Sequence, residues 1–271
     1  MSGLRGVKAF VFDVFGTVVD WRSSVVKQLR ESTEGKVATG QIDWDDFASE
    51  WRAGYYKLTN HIANGGEGPS TIDEMYYQIL NSMLDTPRWE QLAKLWNEQE
   101  RRELVLFWHR LDGISLPHMP FHFLHCDPRV PTGWPDATKG LYALKAHAII
   151  GTLSNGNVRL LVDMAKHADL PWDVVFAGDI LGSYKPNPKM YLGALQYLAL
   201  QPHECAMVAA HIYDLRAAAS HGMKTVYIPR LGEDQSLETA PRSKQDGGEV
   251  DIIVNSLVEL AEVWVQDNRH V

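Results

Sequence analysis

The chain has 271 residues, enough for one large domain or two modest ones at ~150 residues per domain. Its 45% apolar content excludes a disordered tail. With 34 acidic against 26 basic residues, a net charge of −8, it lacks the basic excess of a nucleic-acid binder. Cys126 and Cys205 form no disulfide framework, and no apolar run nears the ~20 residues of a membrane span. Met1-Ser2-Gly3-Leu4-Arg5 runs straight into a strand-like stretch, so no signal peptide is expected and the expected location is cytoplasmic.

In chain order, Val7 to Phe12 is the first element, a nearly continuous apolar run of the kind found in strands buried on both faces. From Trp21 to about Leu111 there is no convincing strand. Ile42–Ala63, Thr71–Leu84 and Arg88–Arg110 read as amphipathic helices, with a break at Asn64-Gly65-Gly66-Glu67-Gly68-Pro69. The tryptophans of this block (Trp44, Trp51, Trp89, Trp96, Trp108) are expected mostly to pack helices. Gly113 to Gly133 holds Pro117, Pro120, Pro128 and Pro131, which forbid a long helix. It also carries the zinc-ligand types His118, His122, His125 and Cys126, but the prolines spoil any regular ligand face, and a loop is the preferred reading.

Strands and helices then alternate. Strands are expected at His147–Leu153, Val174–Ala177, Ala206–Ala209, Thr225–Ile228 and Ile252–Val254; helices at Asp136–Lys145, Asn157–His167, Pro188–Leu200 and Asp214–His221. Asp234–Glu249, polar and with Gly247-Gly248, reads as a loop before the last strand. The alternation implies an α/β fold with an open parallel sheet covered by helices. Residues 1–20 and 133–271 would form the core, 21–112 an inserted helical cap, and 113–132 an atypical loop insertion.

In such sheets ligands sit beyond the carboxyl ends of the strands. Asp13 and Thr17 follow the first strand, Ser154 and Asn155 the second, Lys185 the third, and His211 and Asp214 the fourth. Singly, each is more often a turn or cap residue. Together, a carboxylate, a hydroxyl, an ammonium and a second carboxylate converge on one sheet edge.

The motifs Asp-x-x-Gly-Thr from Asp13, Ser154-Asn155-Gly156, Lys185-Pro186 and the late Asp214 resemble the haloacid dehalogenase superfamily along nearly the whole chain. Phe12-Asp13-Val14-Phe15-Gly16-Thr17 and Val208-Ala209-Ala210-His211-Ile212-Tyr213-Asp214 look most like its type II, L-2-haloacid, dehalogenases. The resemblance implies a Rossmann-like core with a helical cap, an aspartate nucleophile, and no metal or other cofactor. Phosphatases of the superfamily carry an acid two residues after the nucleophile and a Mg²⁺-binding Asp four residues before the late Asp. Phe15 and Ala210 stand there instead.

The expected reaction is attack of Asp13 on C2 of a small 2-haloacid, then hydrolysis of the aspartyl ester by water to a 2-hydroxy acid. Lys185 would keep Asp13 ionised and Thr17 would orient it. Ser154 and Asn155 would hold the substrate carboxylate, and Phe15 also belongs to the substrate-binding set. By the resemblance, Arg52 accompanies the halide and Tyr191 lies near the site. Asp214 would orient or deprotonate the hydrolytic water, with His211 sharing that role or hydrogen-bonding Asp214. Family members are often homodimers, and no nucleic-acid or membrane partner is expected. The alternatives are a phosphatase with relaxed motifs and a non-catalytic binding protein of the same fold.

Overall fold

The computed structural model describes residues 3–38, 40–112, 134–235 and 237–268. The proline-rich stretch with its histidines and Cys126 lies outside the described residues. The elements are β1 (Ala9–Phe12), α1 (Trp21–Ser32), α2 (Trp44–Ala63), α3 (Ile72–Leu84), α4 (Glu90–Ala93), α5 (Glu98–Val105), α6 (Ala137–Lys145), β2 (Ile149–Ser154), α7 (Val158–Ala168), β3 (Val174–Ala177), α8 (Gly178–Leu181), α9 (Pro188–Leu198), β4 (Cys205–Ala209), α10 (Ile212–Ser220), β5 (Lys224–Tyr227), β6 (Ile252–Ile253) and α11 (Leu257–Asn268).

All six strands are parallel, in the order β3-β2-β1-β4-β5-β6. The register places Phe12 beside Thr152 on one side and Val208 on the other, so β1 is central. Alternation along β1 divides the core between two faces. Phe10 and Phe12 pack with Leu141, Leu144, Leu257 and Leu260 of α6 and α11, whereas Ala9 and Val11 pack with Met190, Tyr191 and Leu215 of α9 and α10. Burial of each large side chain contributes about 1.5–3 kcal/mol. Gly140 is required where α6 meets α11, because a Cβ there would lie 2.4 Å from the Leu257 carbonyl carbon. Cys205 is buried in β4, and burial pushes its thiol up to about 12.

Helices α1–α5 are inserted between β1 and β2, and α2 brings Arg52, Tyr55 and Tyr56 to the carboxyl end of the sheet. Trp51, Tyr55, Tyr76 and Trp108 pack together in this cap: the Tyr76 ring stacks 4.2 Å from Trp108 and 4.9 Å from Tyr55. The expected helix over Arg88–Arg110 is three pieces, α4, α5 and a 3₁₀ turn at Leu106–His109. Asn97 breaks it, since its side chain accepts from the Glu100 N–H while Glu100 accepts from the Asn97 N–H, a capping box that starts a new helix. The helix over Pro188–Leu200 stops at Leu198 because Ala199 adopts left-handed φ 54°.

His109, from the last cap turn, ties cap to core. Its Nδ1 lies 3.0 Å from Asp163 of α7 and its Nε2 3.1 Å from Asp73 of α3. Burial works against the imidazolium, but the two carboxylates outweigh it and raise His109 above its ordinary 6.5. A raised folded pKa stabilises fully below pH 6.5 and is lost as pH rises through the folded value. Urea melts of wild type and His109→Gln should therefore show a wild-type advantage on the order of 1 kcal/mol at pH 6. That advantage should shrink as pH rises; an advantage constant with pH would contradict this.

Candidate active site

The sheet changes direction of growth at β1: β2 and β3 extend to one side, β4 to β6 to the other. Loops leaving β1 and β4 therefore part at their carboxyl ends, and a crevice opens there. Asp13 follows β1 directly. The next turn carries Gly16 at φ 84°, a conformation that glycine adopts without steric penalty. Val18 N–H bonds back to the Val14 carbonyl and brings Thr17 over Asp13.

Lys185 Nζ donates to Asp13 Oδ1 at 2.8 Å, and Thr17 Oγ1 donates to Asp13 Oδ2 at 2.8 Å. The Ala210 N–H donates to Thr17 Oγ1 at 2.9 Å, which directs the hydroxyl proton onto Asp13. His211 Nδ1 lies 2.8 Å from the same Oδ2. Burial alone would raise Asp13, yet the Lys185 charge and the His211 hydrogen bond outweigh it and hold the carboxyl well below the usual range. Lys185 is opposed by burial but raised by Asp13 and Asp214.

Asp214 Oδ2 accepts from Lys185 Nζ, and its Oδ1 accepts from the Tyr191 hydroxyl at 2.6 Å. Asp214 is 0% exposed, and burial raises its pKa. The residues lining the active-site cavity are Asp13, Phe15, Arg52, Tyr55, Tyr56, Ser154, Asn155, Lys185 and Tyr213. Asp214 and Tyr191 are not among them; they stand behind Lys185. Both Asp214 oxygens are thus engaged, one by the ammonium and one by the Tyr191 hydroxyl.

Asn155 Oδ1 accepts from the Lys185 backbone N–H at 2.6 Å, fixing the loop that carries the ammonium. Ser154 Oγ accepts from the Gly156 N–H at 3.1 Å, which leaves its own proton to donate. From the cap, Arg52 on α2 enters the cavity. Its guanidinium lies 4.5–4.7 Å from the ring centroids of Tyr56, Phe15 and Tyr55. One end donates to the Tyr76 hydroxyl at 2.8 Å, while its buried Nε has no acceptor among the described residues.

Glu233, Tyr55, Tyr56 and Tyr213 are site residues absent from the sequence expectations. Glu233 Oε2 lies 2.8 Å from His211 Nε2. It follows β5 in Arg230-Leu231-Gly232-Glu233, so extending the strand-end rule one strand further finds it. Tyr56 is four residues after Arg52, on the same face of α2.

A profile of haloacid dehalogenase-like hydrolases matches residues 7–222. The curated (S)-2-haloacid dehalogenase 4A of Burkholderia cepacia is 36% identical over 267 residues, covering 94% of this chain and 93% of its own. The chain belongs to the haloacid dehalogenase-like hydrolase family. Among solved structures, L-2-haloacid dehalogenase PA0810 matches with TM-score 0.75 at 33% identity, over 95% of this chain and 99% of its own. The defluorinating L-2-haloacid dehalogenase Rha0230 matches with TM-score 0.77 at 35% identity, over 95% of each.

A solved structure of the same fold, the putative HAD-hydrolase YfnB of Bacillus subtilis (TM-score 0.58, 14% identity), is bound to magnesium, but the residues here do not suit that ion. The Lys185 ammonium already bridges Asp13 and Asp214, and the second Asp13 oxygen is taken by Thr17 and His211. Ala210 supplies no carboxylate.

Removing Lys185 alone leaves two buried carboxylates facing one another. Lys185→Met should cost about 3–5 kcal/mol of stability, read by thermal or urea unfolding. Adding Asp214→Asn should return part of that loss, because it removes one of the two charges. Equal stability of the single and double variants would contradict the coupling.

Proposed function

We propose that this protein hydrolyses small 2-haloalkanoic acids to 2-hydroxy acids through an ester on Asp13. The observation that carries the reading is the pairing of Asp13's two oxygens. Among the described residues, Oδ2 accepts two hydrogen bonds and Oδ1 one, from Lys185, so Oδ1 keeps a lone pair for attack. It attacks C2 in line and the carbon–halogen electron pair leaves on the halide, inverting the carbon.

The Nε–H of Arg52, unpartnered among the described residues and within its aromatic enclosure, gives the halide a cationic and water-poor exit. Burial disfavours the Arg52 charge, but the surrounding tyrosine oxygens raise its pKa, so it stays cationic. The spare Ser154 hydroxyl proton and the neighbouring backbone hold the substrate carboxylate, with Phe15 against the carbon chain. The remaining cavity is only ≈ 10 Å³, about one water. Substrate entry therefore requires the side chains that line the cavity to give way.

Neither a phosphatase nor a bare binding module accounts for these features as well. Phe15 cannot protonate a phosphate-ester leaving group, whereas a halide departs without a proton. A binding module has no need of a buried aspartate held ionised beside an open lone pair. The homology to (S)-2-haloacid dehalogenases supports the same substrate class.

The test is halide release from a panel of chiral 2-haloacids, with and without chelator. Release from the L-series, unaffected by chelator, is expected. Asp13→Asn should lower it by at least ~10³-fold, as for loss of a covalent nucleophile. Undiminished turnover of Asp13→Asn, or chelator-sensitive phosphate release in its place, would overturn the proposal.

A further inference from the structure

Both ring nitrogens of His211 are 2.8 Å from a carboxylate oxygen: Nδ1 from Asp13 Oδ2 and Nε2 from Glu233 Oε2. An ionised carboxylate only accepts hydrogen bonds. Either neutral tautomer would aim one lone pair at another, so the contacts are complementary only when both nitrogens carry a proton.

Glu233 is built into this place. Its Oε1 accepts from Trp21 Nε1 at 2.9 Å, and its carboxyl group lies over Gly16, where an added Cβ would come within 2.5 Å of Cδ. The absence of a side chain at Gly16 is what lets a carboxylate from the β5 side reach across to His211. Glu233 and His211 are both largely buried, with side chains 14% and 7% exposed.

We propose that His211, held doubly protonated by Glu233, stabilises the oxyanion that forms on Asp13 Oδ2 when water hydrolyses the ester, Glu233 being its positioning residue. This rests on the dehalogenase reading above. Once Oδ1 carries the substrate carbon, Oδ2 is the ester carbonyl oxygen, and Thr17 and His211 already stand at 2.8 Å from it. Those are the donors and distances an oxyanion needs. Water oxygen bonds to the Asp13 carboxyl carbon and the carbonyl π pair moves to Oδ2. As that pair returns, the carbon–Oδ1 bond breaks and the hydroxy acid leaves with Oδ1. One water proton ends on the departing oxygen; the other passes to solvent as Asp13 reionises.

A general base needs a lone pair aimed at water, and His211 has none to spare. The charged and titratable groups around the ring are Asp13 from β1, Glu233 and Asp234 from the segment after β5, Tyr213 from α10 and Tyr56 from α2. Burial opposes the imidazolium, and the Tyr56 oxygen together with the Asp13 and Glu233 carboxylates outweighs that, lifting His211 well above its ordinary 6.5.

Ester decay, followed by rapid quench and intact mass, separates an oxyanion donor from a base. Decay should be flat through neutral pH and fall about tenfold per pH unit once His211 loses its proton. Glu233→Gln should bring that alkaline limb down by at least ~1 pH unit while the halide burst remains. His211→Asn keeps an N–H donor without a titrating charge and should abolish the limb. His211→Ala should slow ester decay about 10²–10³-fold. Decay that rises with pH, or a Glu233→Gln profile identical to wild type, overturns the proposal.

¹⁵N spectra of the resting enzyme near neutral pH give an independent reading, because they need no turnover. Two protonated ring nitrogens are expected on His211, and a neutral ring overturns the proposal. Absence of any halide burst would instead sink the dehalogenase reading and the ester role with it.

Discussion

A single buried ammonium organises this site. Lys185 lies between Asp13 and Asp214 with its side chain 2% exposed, in surroundings where an unpaired charge of either sign is costly. Its position ties three chain segments that are far apart in sequence, the ends of β1 and β4 and the loop after β3. Asn155 fixes that loop through the Lys185 backbone, and Tyr191 saturates the far oxygen of Asp214. The chemistry then has one direction: among the described residues, the hydrogen-bonding positions of Asp13 are filled except for one lone pair on Oδ1.

The same economy of partners leaves little at these carboxylates for a divalent cation to bind. In a Mg²⁺ site the metal neutralises clustered carboxylates. In this chain Lys185 does so on one side of Asp13 and His211 on the other, each as a hydrogen-bond donor fixed to the protein. A halide leaving group needs no proton, so the loss of an acid at Phe15 is no handicap, and that position instead supplies a ring face to Arg52. The cap contributes Arg52 and the tyrosines that surround it, so the cationic exit proposed for the halide is assembled from both cap and core.

Much of this was legible in the sequence because it follows from local pattern. The six strands, the helical insertion and the strand-end positions of Asp13, Ser154, Lys185 and Asp214 are consequences of apolar runs and of where chains leave a parallel sheet. Periodicity reads Arg88–Arg110 as one helix because it does not register a capping box such as Asn97 with Glu100. Helices α1 and α11 were not foreseen as elements. α1 carries polar residues through much of its length, and α11 is defined by its packing against α6. Glu233 was hidden for a different reason: its partner His211 is 22 residues away, and the gap above Gly16 that admits it exists only in three dimensions. The role of Asp214 also depends on geometry, because a sequence shows a carboxylate near a site but not which lone pairs are already taken.

The central claim is that Asp13 becomes an ester and that water attacks its carboxyl carbon. A single turnover of excess enzyme with an L-2-haloacid in H₂¹⁸O, followed by mass analysis of the Asp13 peptide and the hydroxy acid, tests it most directly. The account predicts ¹⁸O in the Asp13 carboxylate and unlabelled product. Label in the hydroxy acid, with Asp13 unlabelled, would mean that water displaces the halide directly and would contradict it.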